Sequence, residues 1–584
     1  MTQRTVLRGG SIVTATGVEP ADVAIEGDVI SAVGEIVAQS GDAVVDAAGR
    51  LILPGFIDAH SHADGLLRDQ AVTRALLRQG VTTIIGGQDG VSYAPGDGAY
   101  ASGYFAAING PHPTYRGGGV VALLASVDDA APLNAGYLVP AGTVRFEVCG
   151  RRDGAASDEE RARMAELVET EMRNGALGLS TGLDYVPGIF QDAAEIAALC
   201  VPVARAGGVY VSHMRGGYEA NSAAGIAEMV EIAQLAGADA EGSLPVHVSH
   251  LHADADIVLA QLDALAAAGV EATFDAYPYI RGCTLLGMPL LPPEISALES
   301  AEIIARITDP QGRDALRETC AQRASNSPSL GPDWPDMITL AHIAASEYDW
   351  ALGLTLREAA ARAELDPMDF AFDVLAASEM ECSAVMAVRN PRPATELARI
   401  FAHPAHTGGS DGIFIGGHPH PRAAGSFARY LREFVRELGT WTWADAIEHL
   451  SAQPARRFGL GRRGVIEAGA VADVLLVDPE TVADQSTYED PTQLAVGIDD
   501  VFVGGVQVLA GGELTGALPG RGLRHAGSQP GAASAAPRPP LGAETPTSGR
   551  PQAGVSTATG GLADGEPGFT ASPTAGATPS GTGG

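Results

Sequence analysis

The sequence contains no lysine: all 37 of its basic side chains are arginine, set against 71 acidic ones. That absence removes several chemistries at once. A Walker-type phosphate loop, a pyridoxal or aldolase Schiff base and a serine–lysine hydrolase each need an amine that can lose its proton. A metal centre bridged by a carboxylated lysine is excluded as well. Cysteine is scarce, and Cys149, Cys200, Cys283, Cys320 and Cys382 are odd in number, scattered and never spaced as CxxC. This argues for a reducing compartment and against a thiolate zinc knuckle. No basic stretch followed by an apolar one opens the chain, and no apolar run reaches the roughly 18 residues of a membrane span, so the sequence reads as a soluble cytoplasmic protein. Its net charge of -34 repels nucleic acid and anionic membrane surfaces, so neither is an expected partner.

The 584 residues are enough for a large barrel with attachments. From residue 525 to 584 the composition collapses to Gly, Ala, Pro, Ser and Thr, too few large apolar side chains to offset the entropy of ordering, and the segment is expected to be disordered. Upstream, β-rich runs frame both ends of the chain: residues 1–54, and the later part of 423–524. They predict a composite β-sandwich, with barrel-closing helices opening the second part. Between them, strand-length apolar runs alternate with helical stretches. Strands are expected at Leu51–Asp58, Val81–Gly87, Val120–Val127, Leu177–Leu183, Val209–His213, Val246–His250, Ala272–Tyr277 and Thr407–Asp411. The helices between them include Asp158–Asn174, Asp192–Ala206, Ala223–Leu235 and Ala255–Ala268. Eight such units predict an α/β fold, a distorted (β/α)8 TIM barrel over residues 55–422. A Pro-punctuated, largely helical insertion at about 285–375 is either a lid beside the barrel mouth or a decoration.

Barrel enzymes build their sites at the C-terminal ends of their strands. The first strand ends in GFIDAHSHAD, which puts His60 and His62 at i and i+2, on one face of an extended chain and able to share an ion. Asp89 follows the second strand, His213 ends the fifth, His250 the sixth and Asp411 the eighth. Taken singly, each reads as a capping carboxylate or a packed histidine. Together on one barrel face they point to a metal site. A second HxH, His418 and His420 around Pro419, has the loop context of a structural or lid element, and His403 and His406 that of residues orienting the loop before strand eight.

These strand ends, with GLSTGLDYVPG, YVSHMRG, FDAYPYIRGC, GGSDG followed by HPHPRAAGSFARYL, and the closing GVIEAGAVADVLLVDP and TGALPGRGLR, resemble the amidohydrolase superfamily. Within it they resemble the N-acyl-D-amino-acid deacylases, or D-aminoacylases, over nearly the whole chain up to Arg524. The resemblance implies a barrel joined to a β-sandwich, one metal subsite on His60 and His62, and the other on His213 and His250. Asp89 stands where the family usually has a cysteine between the metals, QDG in place of NCG. A carboxylate can bridge two ions; the alternative is one functional ion with Asp89 capping its loop. Zinc is the first expectation, with one or two ions, and the harder oxygen ligand shifts preference toward manganese, iron or cobalt. The resemblance makes Asp411 the general base and acid. It also makes Arg422 and Tyr277 the holders of the substrate carboxylate, although Arg422 reads equally as a structural salt bridge. Cys283 lies where the family often has serine, and His252 where it often has lysine. The implied reaction is removal of the acyl group from an N-acyl-D-amino acid. Alternatives are a D-residue dipeptidase, a cyclic-amide hydrolase of the hydantoinase or dihydroorotase kind, and an inactive homologue acting as a binding protein. Oligomeric state is not legible in the sequence.

Overall fold

Short strands buried along almost their whole length and alternating with helices have one economical arrangement: a parallel sheet buried on both faces, with the helices outside. In the computed structural model, which describes residues 3–14, 16–217 and 221–525, eight such strands run parallel. They are β1 (Phe56–Asp58), β2 (Val81–Gly86), β3 (Asn134–Pro140), β4 (Gly178–Gly182), β5 (Val209–His213), β6 (Val246–Val248), β7 (Ala272–Asp275) and β8 (His406–Thr407). Each pairs with its successor. Between β8 and β1 the ring is drawn together by single hydrogen bonds, Ala59 N to Gly408 O at 3.0 Å and His62 N to Gly412 O at 3.2 Å. The Asp58 carboxylate adds the Ser410 amide at 2.8 Å.

Seven of the eight strands lie where the apolar pattern places them, most of them shorter than expected. The third does not. Val120–Val127 is not a strand: Gly119–Ala125 is helical, and β3 comes later, at Asn134–Pro140. The buried residues of the misread run, Val120, Leu123, Leu124 and Val127, are spaced i, i+3, i+4 and i+7, one face of a helix, whereas β3 is buried at every position. The Glu171 carboxylate accepts the Val120 amide at 2.7 Å, meeting one of the donors that a helix N-terminus leaves open.

The crossover helices follow their sequence signals closely. Asp158–Arg173 begins with a capping box: Ser157 Oγ accepts the Glu160 amide at 3.3 Å and Glu160 Oε2 accepts the Ser157 amide at 2.8 Å. Ala193–Ala206, Ser222–Ala240 and Ala255–Ala267 complete the set expected from periodicity.

The composite β layer is present. A seven-stranded sheet joins Ser11–Thr14, Gly17–Pro20 and Leu51–Pro54 from the N-terminal side to Val474–Val477, Ile498–Val503, Val506–Ala510 and Glu513–Leu514 from the C-terminal side. The run Leu51–Asp58 is therefore divided: Leu51–Pro54 pairs with Val474–Val477, and only Phe56–Asp58 enters the barrel. The insertion is more than helices. An antiparallel sheet of Gly282–Leu285, Cys382–Met386 and Ile338–Ile343 supports them, and Trp334, Phe370 and Phe372 belong to its separate apolar core. The tail expected to be disordered, beyond His525, lies outside the described residues. Among those described, no helix is long and apolar enough to cross a membrane.

Several buried histidines give the fold an expected acid sensitivity. His112 Nδ1 accepts the Thr114 and Tyr115 amides at 3.2 and 2.9 Å, and burial, with Arg68 and Arg116 nearby, pushes its pKa down to about 4. Burial likewise holds His406 and His420 well below the ordinary 6.5. Such an imidazole takes its proton in the unfolded chain first. Its contribution to stability is therefore complete above about pH 6.5 and is lost as pH falls toward about 4. The thermal midpoint is expected to drop across that window. His112→Asn, which keeps an acceptor for the two amides, should reduce the slope, and a midpoint flat between pH 6.5 and 4 would contradict the reading.

Candidate metal centre

Five strand ends converge at the mouth of the barrel. His60 and His62 follow β1, Asp89 follows β2, His213 closes β5, His250 lies just beyond β6 and Asp411 beyond β8. Asp89, His250 and Asp411 adopt φ of 55°, 33° and 48°, a left-handed conformation that L side chains rarely take. Only eight non-glycine residues among those described do so, which makes three in one site a concentration of strain where function would hold it. The turn at Asp89 also needs a glycine opposite: a Cβ on Gly182, at the end of β4, would lie 1.9 Å from the Asp89 carbonyl oxygen.

Asp89 is at the centre. Its carboxylate oxygens lie 3.5 Å from His60 Nε2, 3.6 Å from His62 Nε2, 3.6 Å from His213 Nδ1 and 3.7 Å from His250 Nε2. Asp411 Oδ1 is 3.3 Å from His62 Nε2 and 3.8 Å from His60 Nε2. All six side chains are buried, His60 completely. Ligands bonded to a zinc-sized ion at about 2.1 Å stand about 3.4 Å apart, so this donor set has the spacing of a coordination shell. Two overlapping groups meet that condition: His60, His62, Asp89 and Asp411, and Asp89, His213 and His250. His60 Nε2 and Asp89 Oδ1 are buried without a hydrogen-bond partner, which is costly unless a cation satisfies them. The electrostatics agree. Burial disfavours the imidazolium of His62, yet hydrogen bonds to Asp411 and Asp89 outweigh it and push the pKa up to about 10. His213 is raised to about 10 in the same way, by Asp89 and Asp184 against its burial. This anionic cluster draws positive charge to itself, and the residues present fit a divalent metal.

Each of three histidines is held by a partner on its far nitrogen. His60 Nδ1 donates to Asp275 Oδ2 at 3.4 Å, His62 Nδ1 to Asn109 Oδ1 at 3.0 Å and His213 Nε2 to Asp184 Oδ2 at 3.3 Å. The nitrogen facing Asp89 is thereby left as the acceptor a metal needs. Asp275 also takes the His247 ring at 3.0 Å and the His250 amide at 2.9 Å, and its pKa is held far below the carboxylate range because His60 and His247 outweigh its burial. Sequence reasoning passed over Asp275, Asp184 and Asn109. Asp275 carried the same signal as Asp411, a carboxylate ending an apolar strand, in FDAY. Asp184 sat in the quoted GLDYVPG segment, and Asn109 had no signal in the sequence.

The four residues expected to bind substrate line one cavity of about 540 Å3 above the cluster, together with His62, Asp89, His213, His250 and Asp411. Arg422 is fully buried. Its Nη2 lies 2.9 Å from Asp411 Oδ2 and donates to the Cys283 carbonyl at 3.4 Å, while Nη1 and Nε have no partner. Both readings of Arg422 thus have a basis: one edge makes a salt bridge and the other is buried without a partner in a residue that lines the cavity. Tyr277 lies under the guanidinium at 4.6 Å, and His252 packs on Tyr277 with ring centroids 4.3 Å apart. Both ring nitrogens of His252 are buried without partners. Burial pushes the Cys283 thiol up to about 12, so it is not a thiolate. His420 positions Arg422, accepting its amide at Nδ1 at 3.0 Å and donating from Nε2 to the Arg281 carbonyl at 3.0 Å.

Known proteins share this architecture. A model of the amidohydrolase family matches residues 43–509. D-aminoacylase of Alcaligenes xylosoxydans xylosoxydans is 30% identical over 538 residues, covering 89% of this chain and 97% of the relative. N-acyl-D-glutamate deacylase of the same organism is 30% identical over 535 residues, covering 90% and 98%. The crystal structure of N-acyl-D-glutamate deacylase from Bordetella bronchiseptica, complexed with zinc and a phosphonate inhibitor that mimics the tetrahedral intermediate, superposes with a TM-score of 0.74 at 29% identity, over 90% of this chain and all of that one. With the barrel, the composite sheet and the converging histidines described above, this chain belongs to the amidohydrolase family, in its D-aminoacylase branch.

Proposed function

We propose that this protein is a metal-dependent hydrolase that removes the acyl group from N-acyl-D-amino acids. The observation that carries the reading is the placement of Asp89 against four imidazoles, with Asp411 beside them at 3.3 Å from His62. His60 and His62 would hold one metal position and His213 and His250 the other, with the Asp89 carboxylate within reach of both pairs. A divalent ion bound there, zinc first and manganese, iron or cobalt as alternatives, supplies Lewis acidity toward a carbonyl oxygen and brings the pKa of water down toward about 7.

The protein's own groups do the rest. Asp411 takes a proton from the attacking water and returns it to the leaving nitrogen, a delivery that amide hydrolysis requires because an amide anion leaves very poorly. Burial raises the Asp411 pKa, but Arg422 and His62 outweigh it and keep the carboxylate ionised and ready as a base. The unpaired edge of Arg422, over Tyr277, receives the substrate's α-carboxylate. A carboxylate holder favours an open N-acyl amino acid over a cyclic amide, and the presence of His60, His62, His213, His250 and Asp411 together favours an enzyme over an inactive homologue. The D configuration is supported by the relatives, both named for D substrates. All five cysteines are free, which supports a cytoplasmic location.

The deciding experiment supplies the metal-loaded protein with matched N-acetyl-D- and N-acetyl-L-amino acids and measures the free amine. Release from the D series alone supports the proposal; release from the L series alone, or from neither with metal bound, overturns it. Asp184→Asn should lower metal affinity by about 10- to 100-fold, read by competition with a chelator, because the amide no longer fixes the His213 ring as the carboxylate does. An unchanged affinity would remove Asp184 from the metal's support.

A further inference from the structure

His60 and Asp411 follow β1 and β8, strands at the place where the ring closes, and one buried carboxylate joins the two segments. Asp58 is the last residue of β1 and is fully buried. Its Oδ1 accepts two backbone amides, from His60 at 3.2 Å and from Ser410 at 2.8 Å, and its Oδ2 accepts the Ser410 hydroxyl at 2.5 Å. Ser410 Oγ in turn accepts the Gly412 amide at 3.0 Å. The Asp411 amide itself donates to the His60 carbonyl at 2.8 Å, and the His62 amide to the Gly412 carbonyl at 3.2 Å. The turn that carries Asp411 is therefore bonded, on both sides of that residue, to the segment that carries His60 and His62.

The turn needs this fastening. Asp411 has a φ of 48°, a conformation that persists in an L residue only where the surroundings enforce it. Arg422 lies 2.9 Å from one oxygen of its carboxylate and His62 lies 3.3 Å from the other, but these contacts act at the far end of the side chain. The His60 ring has its own support in Asp275. A base must stand within hydrogen-bonding reach of the water it deprotonates, and a displacement of about 1 Å can cost about a hundredfold in rate. Neither Asp58 nor Ser410 lines the cavity, so any influence they have on turnover passes through the groups they hold.

Building on the proposed deacylase reading, in which Asp411 is the base, we infer that Asp58 is a positioning residue: through Ser410 it holds Asp411 in a fixed place against the histidines that follow β1, and turnover depends on that hold.

The test is a double-mutant cycle on the metal-loaded enzyme, with the N-acetyl-D-amino acid that turns over fastest as substrate. Asp58→Ala should lower kcat about 10- to 100-fold. KM should change by less than about twofold, because the cavity lining is untouched, and metal content by elemental analysis should stay as it was. In the Asp411→Asn background the same change should cost less than about twofold, since there is no base left to misplace. Asp58→Asn should recover most of the turnover. Its carbonyl oxygen accepts the two backbone amides, its NH2 group donates to Ser410 Oγ, and the hydroxyl turns to the His60 carbonyl 3.4 Å away. Costs that multiply in the double variant overturn the role, as does a loss carried by KM or by metal content. Asp58→Asn as slow as Asp58→Ala also overturns it, because the geometry is then restored without the rate. Should Asp58→Ala fail to fold, the cycle is run with Ser410→Ala, which removes the hydroxyl between Asp58 and Gly412. A loss of about tenfold that vanishes in the Asp411→Asn background supports the role, and an equal loss in both backgrounds, or none, sinks it. A wild-type enzyme that hydrolyses no N-acyl-D-amino acid would overturn the proposed function and this inference with it, whereas an active enzyme in which the two costs multiply overturns the positioning role alone.

Discussion

Asp411→Asn is expected to retain its metal and lose about 10²- to 10⁴-fold in kcat, the range associated with a single general acid–base group. The asymmetry follows from the geometry. Asp89 lies within 3.5 to 3.7 Å of all four imidazoles, so the metal's principal donors survive the change. Asparagine is close to isosteric with aspartate but carries no charge and has no basic oxygen. It cannot accept the water's proton or return one to the leaving nitrogen. It also leaves Arg422 without its 2.9 Å partner, so some rise in KM or some loss of thermal stability is expected alongside the loss of turnover. Metal content by elemental analysis and kcat by amine release separate the two effects. Near-normal turnover with full metal content would remove Asp411 from the base role.

Stripping the metal with a chelator should cost more than about 10³-fold in activity, since both the polarisation of the carbonyl and the activation of water are lost together. Asp89→Ala should approach the same state by another route. It removes the one carboxylate that faces all four histidines, so metal content should fall along with activity. The identity of the ligand at this position also makes a directional prediction. Asp89 offers hard oxygen donors, so reloading the native protein should favour manganese, iron or cobalt, relative to zinc, more than reloading the Asp89→Cys variant does. Native protein that keeps full activity after exhaustive chelation would end the metal-dependent reading. An unchanged metal preference in Asp89→Cys would show that the selectivity lies elsewhere in the site.

How much of this was legible beforehand depended on whether the signal was local. Period-two and period-3.6 patterns are properties of neighbouring residues, and they located seven barrel strands and the main crossover helices, along with the β-rich runs at both ends that pair in one sheet. The same locality explains the error at Val120–Val127, where an apolar run of strand length suggested a strand while the buried spacing was helical and Glu171, 51 residues on, accepted the first amide. The histidines and aspartates that finish strands were visible because a barrel delivers every strand end to one face.

Other features had no local form. Nothing near His60 indicates Asp275 as its partner, 215 residues away, and nothing near His213 singles out Asp184 among the chain's acidic residues. The sequence by itself determined the repeating units, the residues offered at the barrel mouth and, by withholding lysine, that any bridge between metals would have to be a side chain such as Asp89. Only the tertiary structure decided that Asp89 faces four imidazoles at once, that Arg422 is shared with Asp411, and that Asp58 ties the turn carrying Asp411 to His60. The reason is physical: strand and helix periodicities are set by backbone geometry over a few residues, whereas these contacts depend on how the barrel closes, which no short window of sequence contains.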